Sequence, residues 1–248
     1  MRPRLIRARS LVCSKSFRRI KGTSVIVVAN QGGSGGSGNR VLTLASAVTH
    51  GSLLVAAVAE RDTTTGGSIS DTKGNVWTKI AYAPHIPTLY LFYCVGCRAM
   101  TTSDTITFTA VTANSTTIGV LSATGIDPFW PYDPAIFNTD SENGTGANPS
   151  VTSALPTTTS TLVVGFAAGQ TSQTGTQASD WTNGPNAANG TGANLLASIG
   201  GHKVLTNVRT ISTYGPTTIN ESNNNADALI VGFMASKPTI IPILRSLR

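Results

Sequence analysis

The chain has little of what most enzyme chemistry uses. Only 12% of its 248 residues are charged and 6% are aromatic, and it holds three histidines and three cysteines. Cys13, Cys94 and Cys97 are too few for a disulfide framework. Cys94-Val95-Gly96-Cys97 has redox spacing, but it closes the apolar run "LYLFYCV" with no helix signal to lower a thiol pKa. As a zinc site it is half complete, since no second Cys or His pair stands at ligand spacing. His50, His85 and His202 each lie in a turn-like context, no two share metal-ligand spacing, and no Gly-x-Ser-x-Gly occurs. These absences predict no catalytic residue, no metal and no cofactor, and a protein that is not an enzyme. No apolar run approaches the ~20 residues of a membrane helix, so no membrane partner is expected. The apolar core of a secretory signal is also missing, because Val25-Ile26-Val27-Val28-Ala29 is too short and stands too far in.

The charge that is present is unevenly placed. Eight of the 18 basic residues lie in residues 1–21 and three more in residues 237–248, while all 11 acidic residues lie between. The +7 net charge therefore belongs to two basic ends on a mildly acidic middle. The first end carries Arg2, Arg4, Arg7, Arg9, Arg18 and Arg19; the second, "KPTIIPILRSLR", mixes Ile243, Leu244, Arg245 and Leu247 with two prolines. "QGGSGGSGN", residues 31–39, has a linker composition. Together these predict a basic arm over 1–30, a Gly/Ser hinge over 31–39, one body over 40–236 and a basic, apolar tail over 237–248. Eight positive charges would also bind phosphates in a salt-sensitive, sequence-blind way. No nucleic-acid-reading module follows them, so an acidic neighbouring subunit is the preferred partner. The Arg- and Ser-rich, acid-free start also fits an organellar transit peptide.

What the middle does have is period-two alternation. In "DTITFTAV" (104–111) Ile106, Phe108 and Ala110 point one way and the threonines the other, as in a half-buried strand. "TLYLFYCV" (88–95) precedes it, and the two read as an antiparallel hairpin. Further strands are expected at 41–46, 52–60, 75–82, 116–123, 161–168, 195–199, 203–214 and 227–235, with Gly-, Asn- and Pro-rich breaks. About ten short strands of this kind predict an all-β fold, an antiparallel β-sandwich of jelly-roll type with extended terminal arms. "GSLLVAAVAERDTT" (51–64), "STLVVGFAAGQTSQ" (160–173) and "ADALIVGFMAS" (226–236) echo one another, and in the first two a Trp follows after a polar loop, Trp77 and Trp181. Either central strands of a sandwich look alike or a strand-loop-Trp unit is duplicated.

The most site-like stretch is "GIDPFWPYDPAIFNTDSEN", where Phe129, Trp130 and Tyr132 stand among Asp127, Asp133, Asp140 and Glu142. Aromatic rings stack on sugars or fill a partner's pocket. Paired carboxylates could act on a glycosidic bond or hold calcium. A proline-shaped loop whose rings pack under the sandwich edge is the alternative. The turn Asp71-Thr72-Lys73-Gly74-Asn75 is read as a chain reversal, with Asp71 accepting backbone hydrogen bonds, Gly74 and Asn75 tolerating positive φ, and Val76 to Ile80 resuming the strand with Trp77 as a core anchor.

The run "GSLLVAAVAERDTTTGGSISDTKGNVWTKI", followed by "LYLFYCVGC" and "SDTITFT", resembles a diffuse group of bacterial and bacteriophage β-sandwich domains over residues 50–125. Their mark is a Leu-Leu-Val strand and a later Asp-x-x-Gly-Asn-x-Trp turn. The resemblance implies a non-catalytic surface or virion module of the capsid-decoration, tail or fibre type, and it carries no catalytic residues. The expectation is a structural protein located on a virion, whose partners are copies of itself and other capsid proteins. A surface glycan at Phe129, Trp130 and Tyr132 is the alternative partner, and a main coat protein with a nucleic-acid-contacting arm is a second alternative.

Overall fold

A strand covered on both faces has no polar side to show, and this is why three runs here are almost continuously apolar. In a computed structural model, LLVAAVAE, TLVVGFAAG and NADALIVGFM are inner strands of a layered structure. The structure describes residues 23–33, 39–61, 66–83, 87–110, 115–143, 148–157, 160–170, 175–189, 196–206, 210–216 and 225–236. Among them every element is a strand, and the strands pair antiparallel, as an all-β reading requires.

The first eight strands are β1 (Ser24–Gly33), β2 (Asn39–Thr43), β3 (Leu53–Glu60), β4 (Ser68–Asp71), β5 (Thr78–Ala83), β6 (Thr88–Cys94), β7 (Thr105–Thr109) and β8 (Thr116–Thr124). They form a five-stranded sheet, β1-β8-β3-β6-β5, and a three-stranded sheet, β2-β7-β4. The next seven are β9 (Tyr132–Asn143), β10 (Val151–Thr152), β11 (Thr161–Gly169), β12 (Thr182–Asn189), β13 (Leu196–Leu205), β14 (Thr213–Tyr214) and β15 (Asn225–Met234). Their five-stranded sheet reads β9-β15-β11-β13-β12, with β10-β14 beside it. The two sheet orders are the same once β9 stands for β1, β15 for β8, β11 for β3, β13 for β6 and β12 for β5. Among the described residues β4 has no strand counterpart; between β11 and β12 there is the single bridge residue Thr176.

The chain is thus built of two sandwich units of one topology rather than a single sandwich over 40–236. Trp77 and Trp181 immediately precede the equivalent strands β5 and β12, so the duplicated strand-loop-Trp unit is the correct reading of the echo. The third echo, 226–236, is β15, the counterpart of β8; it resembles β3 and β11 because all three are inner strands.

Three apolar layers hold the units. Between the small and large sheets of the first unit lie Leu42, Ile106 and Phe108 against Leu54, Ala56, Val58, Tyr90 and Phe92. The rings of Tyr90, Phe92 and Phe108 sit 5.7–6.2 Å apart. Ile106 and Phe108 point inward as their alternation predicts, with Ala110 half-buried at the margin. The second unit has the equivalent layer, in which Trp181 packs edge-on against Tyr214 at 4.8 Å over Val163, Ala167 and Ile199. The third layer joins the units back to back: Leu53, Val55, Leu89, Leu91 and Leu121 face Leu162, Val164, Phe166, Leu229 and Phe233. Across it β12 lies over β1 and β8, and β15 lies over β5.

Two expectations change here. The arm boundary at residue 30 and the hinge at 31–39 give way to β1, whose register runs from Ser24 opposite Thr124 to Gly33 opposite Thr116. Gly-rich sequence can sit on an edge because an edge strand needs only one partner. The expected β6–β7 hairpin is also absent: β6 pairs with β3 and β5, β7 with β2 and β4, and residues 95–104 are a corner that crosses between sheets. Eight strands split five and three, which departs from the equal sheets of a regular jelly roll.

Strand β13 places one histidine opposite Val164 of the inter-unit layer. His202, in β13 between Val164 and Thr182, is 9% exposed, and its Nδ1 has no partner among the described residues. Burial lowers its pKa, so the folded state favours the neutral ring. Stability that depends on this ring is therefore complete above the unfolded value of ~6.5 and declines as pH falls below it. The denaturation midpoint of the wild type is expected to fall more between pH 7 and pH 5 than that of His202→Gln; equal falls would remove His202 from the pH response.

Candidate functional site

The crossing from the first unit to the second is the segment that presents aromatic surface. Pro128 and Pro131 bracket Phe129 and Trp130, and the Asp127 carboxylate turns the chain between them. Its Oδ1 accepts hydrogen bonds from Phe129 N at 2.9 Å and Trp130 N at 3.1 Å, a local turn of the kind Asp favours. Both ends of the loop are fastened to one residue of β15: Asp127 N donates to Met234 O at 2.9 Å, and Met234 N donates to Pro131 O at 2.7 Å. The rings are thereby held out on an ordered backbone, Phe129 83% and Trp130 75% exposed.

This loop marks the place where both chain ends leave the body. Ser24, the first residue of β1, is paired with Thr124, and Ser236 donates from its backbone N to Gly125 O at 2.8 Å. Ile126 and Ala235 form a bridge beside that bond. Gly125 has φ +78°, the left-handed conformation that lets the chain turn out of β8 at this point. The segments that follow β8 and β15 thus cross and pair with each other. Sequence reasoning singled out the rings but missed Gly125, Met234 and Ser236, because their meeting depends on strand register.

Tyr132 separates from the other two rings. It begins β9, is half-buried against the inter-unit layer, and burial followed by the nearby Asp133 charge raises its hydroxyl pKa. The acids are also dispersed. Asp133 is fully buried, its Oδ1 accepting from Ala135 N and its Oδ2 from Thr157 N and Thr157 Oγ1 at 2.8 and 2.9 Å. Asp140 accepts from Ser150 N at 2.7 Å. Glu142 lies in β9, and its side chain is outside the described residues. Asp127, Asp133 and Asp140 are thus each engaged with backbone amides, which fits a folding role better than a facing pair across a sugar.

The Asp71 turn is closed in the manner its sequence predicts. Oδ1 accepts from Lys73 N and Asn75 N at 2.8 and 3.2 Å, Gly74 takes φ +66°, and Oδ2 accepts from the Trp77 indole N–H at 2.7 Å. Asn75 Oδ1 then accepts from Arg98 N, and Thr72 and Lys73 reach Asp104, tying the turn to the 95–104 corner. The Thr101 amide, above all, holds the Asp104 carboxyl down at about 2. Cys94 and Cys97 are buried beside this corner, and burial pushes their thiols up to about 11 and about 12, which favours inert thiols over nucleophiles.

His50 is exposed; His85 and Cys13 lie outside the described residues. Among the described residues no group of three or more His, Cys, Asp or Glu stands close enough to hold a metal ion. Arg2, Arg4, Arg7, Arg9, Arg18, Arg19, Ile243, Leu244, Arg245 and Leu247 lie outside the described residues, in segments that join the body at Ser24 and Ser236.

The fold and this pole define an all-β protein of two fused sandwich units with its ends and its exposed rings at one place. No protein-family model matches the chain, no curated protein matches it, and no solved structure matches it.

Proposed function

We propose that this is a structural, assembly-forming virion protein, most simply an auxiliary or decoration protein of a phage-type capsid, attached through its terminal segments. The observation that carries the reading is the convergence of both chain ends beside the exposed Phe129–Trp130 loop. Basic arms that order on docking contribute contact area at an entropic cost, which suits a scaffold that already holds its partners close. Partners are then copies of this chain and other capsid proteins. The engagement of the described carboxylates and of the Cys94 and Cys97 thiols in the fold agrees with a non-enzymatic role. Within this reading each unit is a jelly-roll variant whose fifth strand has stayed beside the sixth.

The position of β1 sets the test. A truncation at residue 30 would remove most of an edge strand, so the informative chain begins at Thr23. It is expected to keep the near-UV circular dichroism of the full chain yet to stay in the supernatant when virions of its source are sedimented, whereas the full chain co-sediments. Undiminished co-sedimentation of the truncated chain overturns the assignment to the arm. If the arm instead contacted nucleic acid, binding to arbitrary DNA or RNA would fall steeply with salt and vanish in the truncated chain.

A further inference from the structure

Phe129 and Trp130 are consecutive large rings that are both exposed, and the chain supplies an apolar segment that begins close to their loop. Residues 237–248 follow Ser236, and Ser236 is held to Gly125, four residues before Phe129. The loop that carries the rings is fastened at both ends to Met234, two residues before that point. The tail contains Ile240, Ile241, Ile243, Leu244 and Leu247, with no acidic residue.

The duplication says more about this tail. It stands to β15 as the ring-bearing loop stands to β8, for each follows the last strand of its unit. Both begin with a proline-bracketed apolar pair: Pro128-Phe129-Trp130-Pro131 and, one residue longer, Pro238-Thr239-Ile240-Ile241-Pro242. The first segment continues into β9, which pairs with β15 from Phe233 opposite Tyr132. The equivalent edge, that of β8, is occupied by β1 from Ser24 opposite Thr124. The place beside β8 that corresponds to that of β9 beside β15 is thus already filled by β1, and Phe129 and Trp130 are exposed apolar side chains on the loop fastened to Met234.

We propose that residues 237–248 of the same chain dock on Phe129 and Trp130, with the tail isoleucines against the rings. Its own tail is favoured over that of another copy because a segment tethered a few residues away has a very high effective concentration. Fully extended, five residues reach ~17 Å, ample for the distance along one short loop. The inference concerns the isolated subunit and does not depend on what that subunit attaches to.

Tryptophan emission reads it out. Of the three tryptophans, Trp181 is buried, Trp77 is half-buried with its indole N–H on Asp71, and Trp130 is the exposed one. In dilute full-length protein Trp130 is expected to be shielded from acrylamide. A chain ending at Ser236 should show a severalfold increase in its quenching and a red shift in emission. The full-length double variant Ile240→Asp, Ile241→Asp should do the same, and Trp130→Phe should abolish the difference between full and shortened chains. Equal quenching of Trp130 in all these chains overturns the proposal. So does protection that grows with protein concentration, which would assign the tail to a second copy, or exposure caused by removing residues 1–22 instead of the tail. A soluble oligosaccharide that shields Trp130 equally well with and without the tail would likewise overturn it.

Discussion

Phe166→Ala is expected to destabilise the whole chain by about 3–5 kcal/mol, the range for emptying the space of a buried aromatic ring. Phe166 is 1% exposed and belongs to the layer shared by the two five-stranded sheets. Its loss therefore damages the packing surface of both units together. Equilibrium denaturation followed by far-UV circular dichroism should show one transition moved to lower denaturant. Two transitions, of which only one moves, would mean that the units fold separately and that the back-to-back layer contributes little.

The second large effect is confined to one unit. Tyr214→Ala should cost about 3–5 kcal/mol, again from the lost ring volume. Tyr214 is fully buried, lies edge-on to Trp181, and donates its hydroxyl to Ile199 O at 2.9 Å. Its ring occupies the space that a side chain on Gly165 would take, so no neighbour can move in to fill the gap cheaply. The two-residue strands β10 and β14 depend on such contacts more than on their own hydrogen bonds, two residue pairs being far too few to persist alone. Hydrogen exchange should show β14 losing protection while β2 and β7 keep theirs. Tyr214→Phe isolates the hydroxyl and should cost only about 1 kcal/mol. A loss as large as that of Tyr214→Ala would show that the Ile199 hydrogen bond, rather than the ring, holds the layer.

How legible all this was depends on how many neighbours a residue has. The inner strands β3 and β11 carry their position in near-unbroken apolar runs, and β7 carries its own in the alternation of Ile106 and Phe108. Edge strands carry much less. β12, TNGPNAAN, reads as a loop by composition, and its register shifts between Asn183 and Asn186 around Gly184 and Pro185. β9, YDPAIFNTDSEN, is polar along its exposed length for the same reason. Adjacency in sequence misled at β6 and β7, because a turn-rich corner looks alike whether the chain doubles back or changes sheet. At the site, aromatic rings standing among carboxylates singled out Phe129 and Trp130, and the alternative of a proline-shaped loop with its rings packed under the sandwich edge fails for these two, which are exposed. Tyr132 differs from them only by being the first residue of a strand, which turns its ring onto the inner layer. The meeting of the termini was not legible, since it rests on the pairing of residues a hundred positions apart.

The crossed segments after β8 and β15 bear on how such a body can be seated. Gly125 is bonded to Ser236 and Ile126 bridges Ala235, and the described chain begins and ends beside these pairs, with Ser24 opposite Thr124. Load applied to the chain before Ser24 or after Ser236 therefore enters beside the ends of β8 and β15, one inner strand of each unit, and is shared by both units from the start.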